Sequence, residues 1–276
     1  KSGVPMDGKV WSARAILSHP QVVCQVHERF IEAGAEVIIT NTFSTARHML
    51  EPGGLGHEVR KINAKAVSLA QQARDAVAQH PVAIVGSICE WTHDDDPTWN
   101  SPDAVGRAAK EQAEILAESG VDIIALEMCE RLELSEAVAS AVTGLGLPVW
   151  IGVSARAHKD HESLSSFSYA DRDFENLVKV LCKYSPALMN VMHTAVPDVG
   201  AAIDVVKKYW NGPIGVYPES GYFSMPNWNF VEIIEPAELA EQARQWLANG
   251  VRLLGGCCGL GPGHIQALRG VVSANT

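Results

Sequence analysis

Seven short apolar runs, separated by longer stretches with helical periodicity, constrain this chain more than any other feature of its sequence. The runs are residues 37–40, 82–88, 123–127, 149–153, 188–192, 214–217 and 253–256. Each is rich in β-branched residues or leucine and has no polar face, which is how strands buried on both sides of a parallel sheet read. The stretches between them carry helix signals. Ser101-Pro102-Asp103 combines an N-cap, a first-turn proline and an acid near the positive helix end. Val22, Val23, Val26 and Phe30 share one helical face. Pro236 opens a helix that Asn249-Gly250 closes, and Pro262-Gly263 precedes the last one. Small-residue turns such as Ala33-Gly34-Ala35 and Ser119-Gly120 then lead into the next strand.

Strands alternating with helices require a parallel sheet, doubly wound or closed into a barrel. The strand starts recur every 26 to 45 residues, near the repeat of a (β/α)8 TIM barrel. The expected fold is therefore α/β, a (β/α)8 TIM barrel formed as a single domain by residues 1–276. One strand is missing from this count. The helix expected over residues 20–33 has no apolar run before it, so either a first strand precedes Lys1 or the sheet is open at one edge; the former is expected.

A net charge of -10 without clustered Lys or Arg argues against nucleic acid and acidic membranes as partners. No run of eighteen apolar residues would span a bilayer, and residues 1–9 hold no signal-peptide core. Six cysteines in 276 residues are too sparse for a disulfide scaffold and read as reduced thiols of a cytoplasmic protein.

In a parallel barrel the chemistry sits where strands end. The residues just past the runs are Asn41-Thr42-Phe43, Cys89-Glu90-Trp91, Glu127-Met128-Cys129, Ser154-Ala155-Arg156, Met192-His193-Thr194, Pro218-Glu219-Ser220 and Cys257-Cys258-Gly259. That rim collects four cysteines, a histidine and several carboxylates, a metal and substrate mouth. Its strongest element is Gly255-Gly256-Cys257-Cys258-Gly259, where flanking glycines let the backbone turn two successive thiolates toward one Zn²⁺. The competing reading is a pair of small buried hydrophobes in a tight turn.

This motif, continued by Leu260-Gly261-Pro262-Gly263-His264-Ile265, resembles the closing signature of the homocysteine S-methyltransferases, a family that includes betaine-homocysteine methyltransferase. The likeness extends along the chain. Ala33-Gly34-Ala35 through Thr40-Asn41-Thr42-Phe43, Val85-Gly86-Ser87-Ile88, Gly120-Val121-Asp122 to Leu126-Glu127, and Tyr217-Pro218-Glu219-Ser220-Gly221 resemble the family's second, third, fourth and seventh strands. The resemblance implies an eight-stranded barrel whose zinc is held by the Cys-Cys pair and a third cysteine after the sixth strand. It implies that homocysteine binds as a thiolate and attacks an activated methyl group to give methionine.

The chain departs from that pattern in three places. Met192 falls where the third cysteine is expected, and a thioether is a poor zinc ligand. His193 next door could complete a Cys₂His site; Cys89 or Cys129 could substitute, or the chain could be a metal-free barrel with a binding or structural role. The family's Asp-Gly-Gly turn is missing, leaving Glu127 as the acid expected to hold the substrate amine, with Asn41 as a hydrogen-bonding residue on the rim. Cys89-Glu90-Trp91 replaces a Gly-Pro turn and, with Trp99, Tyr222, Phe223 and Trp228, adds aromatic faces suited to a sulfonium or quaternary ammonium donor. Expected partners are these small molecules alone, with self-association left open.

Overall fold

The apolar runs become one parallel sheet. The computed structural model describes residues 4, 8–93, 98–158, 163–224 and 229–274, apart from the side chains of Phe223 and Asn229. The strands are β1 (Val37–Ile39), β2 (Ala83–Cys89), β3 (Ile123–Cys129), β4 (Val149–Val153), β5 (Leu188–Ala195), β6 (Ile214–Glu219) and β7 (Val251–Leu254). They lie side by side in chain order, every neighbouring pair parallel.

The main helices are α1 (Pro20–Glu32), α2 (Val59–Val77), α3 (Pro102–Glu118), α4 (Leu132–Val142), α5 (Phe174–Leu181), α6 (Val199–Tyr209), α7 (Pro236–Ala248) and α8 (Pro262–Ser273). The Ser101 hydroxyl accepts the Ala104 N–H at 3.2 Å and caps α3 as its sequence requires. The turns before β1, β3 and β7 each place a glycine in the left-handed region, at Gly34, Gly120 and Gly250.

Adjacent strand residues go to opposite faces, and both faces are buried. Ile84, Ile124, Ile151 and Met189 pack outward into the large core beneath the helices. Their neighbours Val85, Ala125, Trp150 and Leu188 form a separate apolar cluster on the inner face. Burial on both sides explains why the runs lack a polar face.

The sheet of the described residues has seven strands, so the expected eighth is not among them. Its outer strands are β1 and β7. Between them lies an apolar cavity of about 850 Å³, walled by Val22, Val26 and Phe30 of α1 and by Ile265 and Leu268 of α8. Two excursions interrupt the alternation. After β4, Ala155–Ala157, Leu164–Ser166 and Tyr169–Asp173 form a three-stranded antiparallel sheet, and after β6, Tyr222–Ser224 pairs with Asn229–Val231. Among the described residues no helix is long and apolar enough to cross a membrane.

Candidate metal centre and substrate mouth

The last strand ends at Leu254, two residues earlier than the apolar run suggests, although Gly255 N–H still donates to the Val216 carbonyl at 2.8 Å. The Cys-Cys turn that follows is stitched to the end of β6. Cys257 N–H donates to the Pro218 carbonyl at 2.8 Å, and Ser220 N–H donates to the Cys258 carbonyl at 3.0 Å. Gly259 has φ +81°, and a Cβ there would run into the Ser220 carbonyl, so glycine is required. The two thiol sulfurs stand 4.0 Å apart.

His193 reaches them from β5. The pairing of β5 with β6 is in step as far as Met192 opposite Tyr217 and resumes at Ala195 opposite Glu219, leaving a bulge at His193 with φ +46°. An unbroken strand would send Met192 and His193 to opposite faces; a bulge re-aims the side chain. The His193 Nδ1 consequently lies 3.5 Å from the Cys257 Sγ. Donor atoms of His193, Cys257 and Cys258 all fall within 4.8 Å of one another, the only group of this kind among the described residues. Such spacings suit ligands that each sit about 2.0–2.3 Å from one tetrahedral ion.

Met192 is occupied elsewhere. Its sulfur accepts the Met128 N–H at 3.0 Å and lies 3.3 Å from the Ser154 hydroxyl. The other two candidate thiols are withdrawn from the mouth. Cys89 is fully buried, donates to the Phe43 carbonyl at 3.0 Å, and is pushed up to about 12 by burial. Cys129 belongs to the core beneath the helices, and burial raises its thiol pKa well above the usual value. The rim thus offers two cysteines, not four, and neither Cys89 nor Cys129 joins the cluster.

The cluster polarises itself. The Cys257 thiol donates to Cys258 and, with His193 alongside, holds Cys258 down at about 5, while Cys257 is pushed up for the same reason. Burial pulls the His193 imidazole down, but the Cys258 thiolate and then the Glu219 and Glu130 carboxylates outweigh it and raise it. Its Nε2 stands 3.4 Å from a Glu219 carboxylate oxygen, and its ring meets Phe167 of the first excursion edge-on at 4.6 Å.

Glu127, on the inner face of β3, is buried beside this cluster. It accepts the Ser87 hydroxyl, and burial raises it against the pull of Ser87 and Tyr217. The Cys258 thiolate and His193 both act on it electrostatically. The Tyr217 hydroxyl faces it without meeting hydrogen-bond geometry, a buried donor with room for a further partner. Asn41 is fixed at the end of β1, accepting the Ser12 hydroxyl at 2.6 Å and donating to the Ser12 carbonyl at 3.1 Å.

Of the aromatics expected at the mouth, Trp91 packs on Trp11 at 5.0 Å, and Trp11 stacks on Phe43 at 5.7 Å. Tyr222 is exposed and Trp99 half-buried. Trp228 and the side chain of Phe223 lie outside the described residues. Sequence reasoning passed over Trp11, Phe167, Ser87 and the contact of Glu219 with His193. Counting back by twos along β2 from Cys89 finds Ser87 on the inner face; no local signal points to Phe167.

A family model described as homocysteine S-methyltransferase matches residues 3–272. The chain is 26% identical over 275 residues to an S-methylmethionine–homocysteine S-methyltransferase of Rattus norvegicus, covering 94% of this chain and 71% of the relative. It is 26% identical over 284 residues to the homocysteine S-methyltransferase of Escherichia coli, covering 97% and 89%. The metallated form of the homocysteine methyltransferase MmuM from Escherichia coli shares the fold at a TM-score of 0.78, with 24% identity over 97% of this chain and 90% of that one.

Proposed function

The chain belongs to the homocysteine S-methyltransferase family, and we propose that it carries a methyl group from a sulfonium or quaternary ammonium donor to the thiol of homocysteine, with zinc held by Cys257, Cys258 and His193. The observation that carries this reading is the convergence of two thiol sulfurs and an imidazole nitrogen beside a buried carboxylate. The donor set is the kind zinc prefers, and three protein ligands leave a position for a substrate. Zinc bound there would keep a substrate thiol ionised at neutral pH, where a free thiol is mostly protonated.

The chain's own residues do the rest. Glu127, buried on the inner face and supported by Ser87, is placed to take the substrate ammonium group and so orient the amino acid. Asn41 holds Ser12 at the edge of the mouth. Trp11, Phe43 and Trp91 offer aromatic faces that attract an onium cation. The thiol proton leaves before attack. The sulfur lone pair then forms the new C–S bond while the donor's own C–S or C–N bond breaks, its electrons departing with a neutral sulfide or amine.

The same reading closes the sheet into an eight-stranded barrel. The cavity between β1 and β7 is bounded by strand edges and by apolar side chains of α1 and α8, which supports an eighth strand lying there. The metal-free alternative has less support, because His193 offers the donor that Met192 does not.

Zinc analysis beside a methyl-transfer assay tests the proposal. Wild type is expected to hold about one zinc per chain and to convert homocysteine to methionine. Cys257→Ala, Cys258→Ala and His193→Ala are each expected to lose both properties. A metal-free wild type without affinity for homocysteine would overturn it.

A further inference from the structure

We propose that Glu219 is the positioning residue that turns His193 into a metal donor. This rests on the reading of Cys257, Cys258 and His193 as a metal centre and deepens it. An imidazole has two nitrogens, and which one is free to bind a metal is set by the partner of the other. Here Nδ1 faces the Cys257 sulfur at 3.5 Å, and Nε2 faces the Glu219 carboxylate at 3.4 Å. A carboxylate at this position accepts, so it favours the tautomer with the proton on Nε2 and leaves the Nδ1 lone pair aimed at the thiol pair.

The surroundings enforce that arrangement. The His193 and Glu219 side chains are only 14% and 16% exposed, so water competes little for either. The Phe167 edge closes another side of the ring. The bulge that re-aims His193 ends where Ala195 pairs with Glu219, so a single irregularity in the ladder sets both partners. At 3.4 Å the pair is at the long limit of hydrogen bonding.

The charge balance gives the contact a chemical purpose. Two thiolates and a neutral imidazole carry one negative charge fewer than three thiolates. A carboxylate bonded to the far nitrogen makes the imidazole more basic and returns part of that charge to the site.

The test measures zinc affinity by competition with a chromophoric chelator, for wild type, Glu219→Gln, Glu219→Ala and His193→Ala. Nitrogen NMR of the histidine-labelled zinc proteins accompanies it. Glu219→Ala is expected to weaken zinc binding about 10- to 100-fold, and Glu219→Gln to weaken it less, because its amide oxygen still accepts Nε2–H. The nitrogen spectrum of wild type is expected to show His193 protonated at Nε2, a signature that blurs in Glu219→Ala. Melting temperatures taken in chelator separate a folding defect from a metal defect, and Glu219→Gln serves where the alanine variant does not fold. Wild-type affinity and an unchanged tautomer in both Glu219 variants, with binding still lost in His193→Ala, overturns the role of Glu219 alone. Full zinc affinity in His193→Ala overturns the underlying metal reading instead.

Discussion

Met192 and His193 show how far a side chain's task depends on one backbone angle. The pair Cys257-Cys258 and the inner-face acid Glu127 were legible in the sequence, because glycine-flanked thiols and a carboxylate at a strand end are local patterns. The direction of His193 was not. It depends on φ +46° at a residue that rarely adopts it, and pleat alternation by itself would have turned the ring away from the thiols. Met192 fills a slot that only glycine leaves open: a Cβ at Gly152 would stand 2.8 Å from its Cγ and 3.0 Å from the Leu126 carbonyl oxygen. Gly152→Ala is therefore expected to destabilise the fold by about 1–3 kcal/mol through overpacking, read by urea unfolding. A change within 0.5 kcal/mol, roughly the scatter of neutral surface substitutions, would mean that Met192 yields easily. For Glu127→Gln the expected outcome is a KM for homocysteine raised by about tenfold or more, the loss of a charged hydrogen bond, with a smaller change in kcat. An unaltered KM would remove Glu127 from amine binding.

Helices and inner strands were legible because their signals are periodic and both strand faces are apolar. Ser101→Ala tests one such signal: losing the cap on α3 is expected to cost about 1 kcal/mol in thermal unfolding, while Ser101→Asp keeps it. Equal losses in the two variants would show that the cap is not what stabilises this end. The excursions after β4 and β6 escaped notice for the opposite reason. Segments such as Leu164–Ser166 and Tyr169–Asp173 are short and mostly polar, so no apolar run marks them, and they pair with antiparallel neighbours. Yet they matter to the site, since Phe167, at the turn between them, closes one side of the His193 ring. The end of β7 was misjudged by two residues, because the apolar run passes without a break from Leu253 and Leu254 into Gly255 and Gly256.

For the whole molecule, two buried histidines tie stability to pH. Burial lowers His27 and His48 to about 4, so both rings are neutral in the folded protein. An unfolded histidine takes up its proton near 6.5; the stability each ring contributes is complete above that value and is lost as pH falls toward about 4. Comparing wild type with His27→Gln is expected to show their difference in unfolding free energy shifting by about 2 kcal/mol between pH 7 and pH 5. A pH-independent difference would show that His27 takes up its proton as readily in the fold as in the unfolded chain. The open edge between β1 and β7 of the sheet formed by the described residues was legible in the sequence, because no apolar run precedes the helix expected over residues 20–33. Finally, His193 and Cys257 are 64 residues apart in the chain. An ion shared between them would act as a cross-link, tying β5 to the turn after β7 and closing a long loop that runs through β6 and α7. Because the site exists only in the folded chain, the free energy of binding the ion adds to the stability of the fold. Proteolysis between residues 194 and 256 should therefore slow on zinc loading, and removing the ion should loosen that whole segment rather than one pocket.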